Sequence, residues 1–259
     1  MDKVAYLGMN GALQTARAQQ INLNNLANAD TPAFKADFAQ AQAQALKGAG
    51  FNSRVWAVGD SAGSDLSMGN VRATGRALDV VLPDGLWMAV QSHANRINDN
   101  ADITAECYTR RADFQIDAQG YLANGAGNRV LDEQGNVMEI ANAQKVLFSA
   151  EGQVSIVPMG ASLDTTVVVG RLKLIQPNPA DLHKTIEGLF VLKEEAVLPI
   201  IDRTNGPPLR VGFLEGSNVN PVVELIELLR LARHHDLNIK FVEAARHQDE
   251  VSAAVLRLS

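Results

Sequence analysis

Three sets of side chains in this 259-residue sequence have types and spacings that could carry chemistry. The pair His234-His235 invites a metal. Adjacent helical side chains, however, point about 100° apart, so the two imidazoles do not converge on one ion. Cys107 could be a nucleophile, but no base is identifiable in its sequence context, and a lone cysteine more often serves as a small buried hydrophobe. Asp113, Asp117 and Asp132 could pair for acid-base work, yet each flanks turn residues, where a carboxylate ordinarily caps backbone N–H groups. Gly125-Ala126-Gly127-Asn128-Arg129-Val130 lacks the last glycine of a dinucleotide loop and follows no βαβ pattern, so it reads as a turn. The expectation is no catalytic, cofactor-binding or metal site.

The bulk properties exclude further classes. Twenty-three basic against 29 acidic side chains leave a net charge of −6, and no basic run suits nucleic acid or an anionic membrane. Asn10 and Gln14 interrupt the start too soon for the apolar core of a cleaved signal peptide, and no stretch approaches a membrane span. With one cysteine, no intramolecular disulfide is available and packing must hold the fold.

The elements that would position any site are therefore more informative than the titratable groups. From Val4 to Ala29 there is no proline, and Tyr6, Met9, Leu13, Ala16, Leu23 and Ala27 recur mostly at three-four spacing, which predicts a helix ended by Asp30-Thr31-Pro32. Gly8, Gly11 and many alanines keep it thin enough for close helix approach. Between Gly48 and Gly75 the sequence reads as extended, with one short strand near Arg54 to Val58. From Leu78 onward, short β-branched and aliphatic runs alternate with turn residues. Asp117 to Leu122, Asp132 to Val137 and Ser149 to Val154 echo one another, each with a glycine at a turn, which predicts a β-meander. After Pro207-Pro208, Leu225, Leu228, Ala232, Ile239, Val242, Ala253 and Leu256 mark a second long helix, capped near Ser217-Asn218 with Pro221 in its first turn.

The expected fold is α+β: long N- and C-terminal helices pair as a coiled-coil-like bundle, with a mainly antiparallel β domain between them. The expected divisions are an N-terminal axial helix over 1–35, an extended linking region over 36–77, a β-rich domain over 78–211 and a C-terminal axial helix over 212–259. Off the principal seams lie Leu7, Ile21, Leu26, Val222, Ile226, Leu229 and Leu231, more apolar surface than one helix pair can bury. Such helices need neighbours, and copies related by a non-closing rotation build a tube or filament. Helices this marginal are expected to order on docking, leaving both ends of the free chain protease-sensitive. A β-domain hydrolase or a soluble binding module is the competing reading.

The segment Asn24-Asn25-Leu26-Ala27-Asn28-Ala29-Asp30-Thr31-Pro32-Ala33-Phe34-Lys35 resembles the N-terminal signature of the bacterial flagellar rod and hook family. Thr74 to Val80 and Tyr108 to Phe114 resemble the two motifs that open its β domain, and Gly212-Phe213-Leu214-Glu215-Gly216-Ser217-Asn218-Val219-Asn220 resembles the signature before its C-terminal helix. The resemblance spans the chain in order. It implies a non-enzymatic structural subunit of the periplasmic drive shaft, partnered by copies of itself and other rod proteins. It also implies export by the flagellar type III apparatus without a cleaved signal, and neither nucleic-acid binding nor membrane insertion. Length and the form of the last signature resemble a proximal rod subunit, with a distal rod subunit as the rival. Ala33 stands where the family usually has glycine, Asp84-Gly85-Leu86-Trp87-Met88 is an altered Gly-Asp-Gly-aromatic segment, and His93 to Glu106 reads as an insertion. The candidate assembly interface comprises Leu13, Leu23, Asn24, Asn25, Leu26, Asn28, Phe34, Ser217, Asn218, Leu225, Leu228, Ile239 and Val242.

Overall fold

A computed structural model describes residues 3–45, 55–59, 63–92, 106–140, 143–162, 165–193 and 208–258. All but the last residue of the expected insertion, His93 to Glu106, lies outside them. The fold is α+β with antiparallel strands, and the chain divides into two compact units. One gathers residues 1–29, 36–65 and 219–259; the other gathers 30–35 and 66–218.

The first unit holds α1 (Lys3–Ala27), β1 (Asp37–Phe38), β2 (Ala41–Ala45), β3 (Val55–Gly59), β4 (Gly63–Ser64) and α2 (Pro221–Leu258). The stretch expected to link thus contributes two antiparallel strand pairs, β1 with β4 and β2 with β3. Helix α2 begins two residues later than Ser217-Asn218 implies. Asn220 is the cap: its Oδ1 accepts from Val222 and Val223 N–H at 3.1 and 3.4 Å, and Pro221 follows where no N–H is needed. Such a cap contributes about 1 kcal/mol.

The helices pack together and run antiparallel, since Asn22 bonds Glu224 near one end while Gly8 faces Phe241 and Val242 near the other. Small residues permit this approach. A Cβ on Gly8 would lie 2.6 Å from Val242 Cγ2, and one on Gly11 2.9 Å from Asn238 Oδ1. Asn238 also donates to Thr15 Oγ1 at 3.3 Å.

The second unit holds β5 (Val71–Ala73), β6 (Val80–Val81), β7 (Trp87–Gln91), β8 (Glu106–Thr109), β9 (Phe114–Ile116), β10 (Leu122–Asn124), β11 (Arg129–Val130), β12 (Ala143–Phe148), β13 (Gln153–Pro158), β14 (Val167–Arg171), β15 (Leu174–Ile175), β16 (Leu182–Lys184), β17 (Phe190–Leu192), β18 (Arg210–Val211) and β19 (Phe213–Glu215). Its main sheet runs β16-β17-β8-β7-β11-β10-β9, with β15 also on β7, beside a β12-β13-β14 meander. The core gathers Leu82, Met88, Val90, Phe114, Leu122, Val130, Val154 and Leu172, each fully buried.

The sequence echo is one turn used repeatedly. Asp117 Oδ1 accepts from Gln119 and Tyr121 N–H, Asp132 Oδ1 from Gln134 and Asn136, and Ser149 Oγ from Glu151 and Gln153. Gly120, Gly135 and Gly152 follow at φ of 87°, 84° and 83°, the left-handed conformation that closes such hairpins. Asn124 repeats the device toward Ala126 and Asn128, so the glycine-rich segment at 125–130 begins as a turn.

Candidate assembly interface

Helix α2 turns a mixed face toward α1 and leaves many aliphatic side chains outward, among charged ones. Its partly buried positions are Glu224, Leu228, Leu231, His235, Asn238, Val242, Ala245, Asp249 and Ser252, with Glu227 beside them, at strict three-four spacing. Only Leu228 and Val242 of this line are among the apolar residues that marked the helix in the sequence. Of those marking residues, Leu225, Ala232, Ile239 and Ala253 are exposed, as are Val222, Val223, Ile226, Leu229, Leu237, Phe241, Val251 and Val255.

Helix α1 behaves alike. Its buried side chains are Asn10, Ala12, Asn22 and Asn25, whereas Tyr6, Met9, Leu13 and Leu23 lie about half exposed. The asparagines face inward because each finds polar partners. Asn10 donates to Ala57 O and accepts from Ala57 N–H, both at 3.1 Å, and Asn25 holds the O and N–H of Asp37 in the same way at 2.9 Å. A carboxamide carries one donor and one acceptor side, so it replaces a neighbouring strand for one residue. Each unsatisfied alternative would cost about 1–3 kcal/mol. Much aliphatic surface is thus left to solvent on both helices.

The remaining candidate residues fall in two places. Asn24 is exposed, Leu26 half-buried, and Asn28 donates back to Asn24 O at 2.9 Å near the helix end. Phe34, Ser217 and Asn218 belong instead to the second unit, half-buried. The ring of Phe34 lies under the Lys184 ammonium at 4.0 Å, and Asn218 N–H donates to Phe34 O while its Nδ2 reaches Ser67 O.

Around them the four signature segments meet. Val80 N–H donates to Ala112 O and Phe114 N–H to Leu78 O; Gly212 donates to Asp79 O, and Ala33 N–H to Glu215 O. At the centre, the carboxylate of Glu215 accepts from Lys35 at 2.7 Å and from Arg110 at 2.8 and 2.9 Å, and from Gly69 N–H at 3.2 Å. All three charged side chains are at most 1% exposed. Arg110 spends its other donors on the carbonyls of Leu82, Pro83 and Leu86, and Lys35 donates to Ser67 O. Periodicity cannot find this triad, because Arg110 and Lys35 lie 105 and 180 positions from Glu215. The available signal is that each charge lies inside a family-like segment.

The carboxylates weighed for chemistry have structural partners, whereas His235 Nδ1 is buried without one. Asp113 grips Arg111 and accepts from Gly125 N–H, and Asp117 also holds Arg129 Nε at 2.9 Å. Burial raises the Asp117 carboxyl, but the N–H groups of Tyr121 and Gln119 and the Arg129 guanidinium outweigh it and hold it below the usual range. Cys107 is buried, and burial first, then Glu187 and Glu106, push its thiol up to about 11, away from a nucleophile's range. Among the described residues there is no group of three side chains placed to hold a metal, and no helix long and apolar enough to cross a membrane.

Residues 210–254 match the family described as flagellar basal body rod FlgEFG protein C-terminal. Over 94% of both chains, the sequence is 32% identical to flagellar basal-body rod protein FlgF of Escherichia coli (strain K12). It is 30% identical to FlgF of Salmonella typhimurium over the whole of both chains. Against flagellar basal-body rod protein FlgG of Bacillus subtilis it is 27% identical, over 98% of this chain and 97% of the relative.

Proposed function

The chain belongs to the family of flagellar basal-body rod proteins, and from that premise we propose that it is a structural subunit of the rod, built into an axial tube through its two terminal helices. The single observation that carries the mode of assembly is that, while Asn10, Asn22, Asn25 and Asn238 turn inward, the helix pair leaves many aliphatic residues to solvent. A free-standing helix pair gains by burying such residues, so their exposure makes sense where further helices cover them.

In this reading the helices bundle with those of neighbouring subunits in a coiled-coil-like manner, with copies of the chain and other rod proteins as partners. The β-rich unit serves as a spacer without catalytic duty, and the ends finish ordering on docking. Export through the flagellar type III apparatus without a cleaved signal completes the picture. The FlgF relatives favour a proximal position over the distal one that FlgG implies.

The test is to delete residues 1–30 or 220–259 separately and measure incorporation into purified basal bodies. Loss of both truncated forms from the rod, while the β-rich unit still folds, is the expected result. Normal incorporation of both ends the proposal.

A further inference from the structure

One cavity in the first unit is unlike the rest of the helix pair. It has a volume of about 210 Å³, and its lining includes Asn22, Asp37, Glu224 and Glu227 as well as Ile21, Phe38 and Leu231. Asn22 is 4% exposed and donates its Nδ2 to Glu224, while its Oδ1 is buried with no donor. Desolvation first, then the Glu227 charge, raises the Glu224 carboxyl against the opposing hydrogen bond from Asn25, as expected for an acid lacking a cation. Glu227 is held from outside by Arg230.

The polar lining of this cavity therefore offers acceptors: an orphan amide oxygen and the carboxylates of Glu224 and Glu227, with Asp37 beside them. Its apolar lining offers aliphatic carbon and the half-exposed ring of Phe38. Arginine matches both: a planar fork of five donors suits carboxylate and amide oxygens and stacks on an aromatic face, while its methylene stem covers apolar surface. A lysine ammonium is a compact point charge that uses neither the fork nor the ring as well.

We propose that this cavity is a receptor for an arginine side chain from a neighbouring rod subunit, its guanidinium lying between Glu224 and Asn22 Oδ1. The inference rests on the rod-subunit reading for the source of the arginine, while the site itself is a property of the free chain. A turn of the Asn22 amide toward the cavity brings Oδ1 to the incoming donor. Docking would then satisfy an acceptor that the chain's own residues leave open, and would select a partner as well as hold it.

The experiment uses the full-length protein with methylguanidinium as probe, followed by carboxyl carbon NMR of the glutamates. A saturable shift of Glu224, at least threefold tighter than with methylammonium, is expected; Glu224→Gln removes the Glu224 signal, so binding there is followed through the Asn22 side-chain amide and weakens at least fivefold. A response matched by sodium chloride, or equal for the two cations, overturns the proposal. Glu227→Gln serves as a second variant if Glu224→Gln melts early, with a twofold or greater weakening expected and no change counting against the site. In cells, Glu224→Gln is expected to lower incorporation into basal bodies at least tenfold, and normal incorporation of it overturns the proposal. Failure of the unaltered chain to incorporate, with probe binding intact, would instead overturn the rod-subunit reading.

Discussion

Lys35 Nζ and Glu215 Oε1 lie 2.7 Å apart across 180 positions of sequence, both fully buried. The pair joins the N-terminal signature to the C-terminal one, with Arg110 as the third member. Two cations share one carboxylate here, so the members are not equivalent. Glu215→Gln strands two buried positive charges, whereas Lys35→Met removes one and leaves the Arg110 pair intact. Urea unfolding is expected to show a loss of about 3–5 kcal/mol for Glu215→Gln and a smaller loss for Lys35→Met. Equal losses would mean that Arg110 does not depend on Glu215.

Two glycines separate collision from conformation. A Cβ on Gly69 would lie 2.0 Å from Gly216 O, a rigid backbone atom, so Gly69→Ala must push the signature strands apart. Gly135 has φ of 84° and open space around it. Gly135→Ala is expected to cost only the left-handed penalty of about 1–2 kcal/mol. Thermal unfolding checks the order: Gly69→Ala falls well below Gly135→Ala, and the reverse order refutes the close approach.

Ala33 carries φ of 54°, the only non-glycine left-handed residue among those described, in a buried turn whose N–H meets Glu215 O. The backbone keeps the conformation for which glycine is suited although the residue is alanine. Ala33→Gly is expected to stabilise by about 0.5–1 kcal/mol, the relief of strain exceeding the added freedom of the unfolded chain. Chemical denaturation midpoints measure it, and a lowered midpoint would show that the strain is already relaxed.

The outward helix face makes a prediction of opposite character. Leu229 is exposed while Val242 packs at Gly8, so Leu229→Asp is expected to change monomer stability by no more than about 0.5 kcal/mol and Val242→Asp by several times that. Incorporation into basal bodies should nonetheless fail for Leu229→Asp. A soluble, stable Leu229→Asp chain that still enters the rod would remove the outward face from the interface.

Cys107 gives a pH test. Its folded thiol is pushed up to about 11 by burial and by Glu187 and Glu106, above the value of 9.0 expected when unfolded. A raised folded pKa means that the fold holds the proton more tightly. That contribution is complete below pH 9 and is lost as the pH climbs from 9 to about 11. Stability should therefore fall by up to about 1.4 kcal/mol per pH unit there, a slope that Cys107→Ala removes in paired unfolding curves. At pH 8 a thiol reagent should label the native chain far more slowly than the unfolded one.

Much of this protein was legible in its sequence wherever one element's own residues decide the outcome. Three-four spacing located both helices, the first also by its lack of proline, and Asp or Ser before a positive-φ glycine located the repeated turns, because helix continuity and turn closure depend on residues within one or two turns of chain. The start of α2 slipped by two residues for a local reason as well: Asn220 caps Pro221 directly, and Ser217-Asn218 are occupied elsewhere.

Which face of each helix turns inward depended on the tertiary structure alone. Apolar periodicity pointed to Leu13, Leu225 and Ile239, whereas the fold buries Asn10, Asn22 and Asn25 and leaves those three outside. Burial rewards a side chain for the partners it finds, and Ala57, Asp37 and Glu224 become partners only once distant strands and the second helix arrive. The same reason hid the Lys35, Arg110 and Glu215 triad. A charge can be buried only against its counterion, and the sequence separations of 105 and 180 put each counterion beyond the reach of any local pattern.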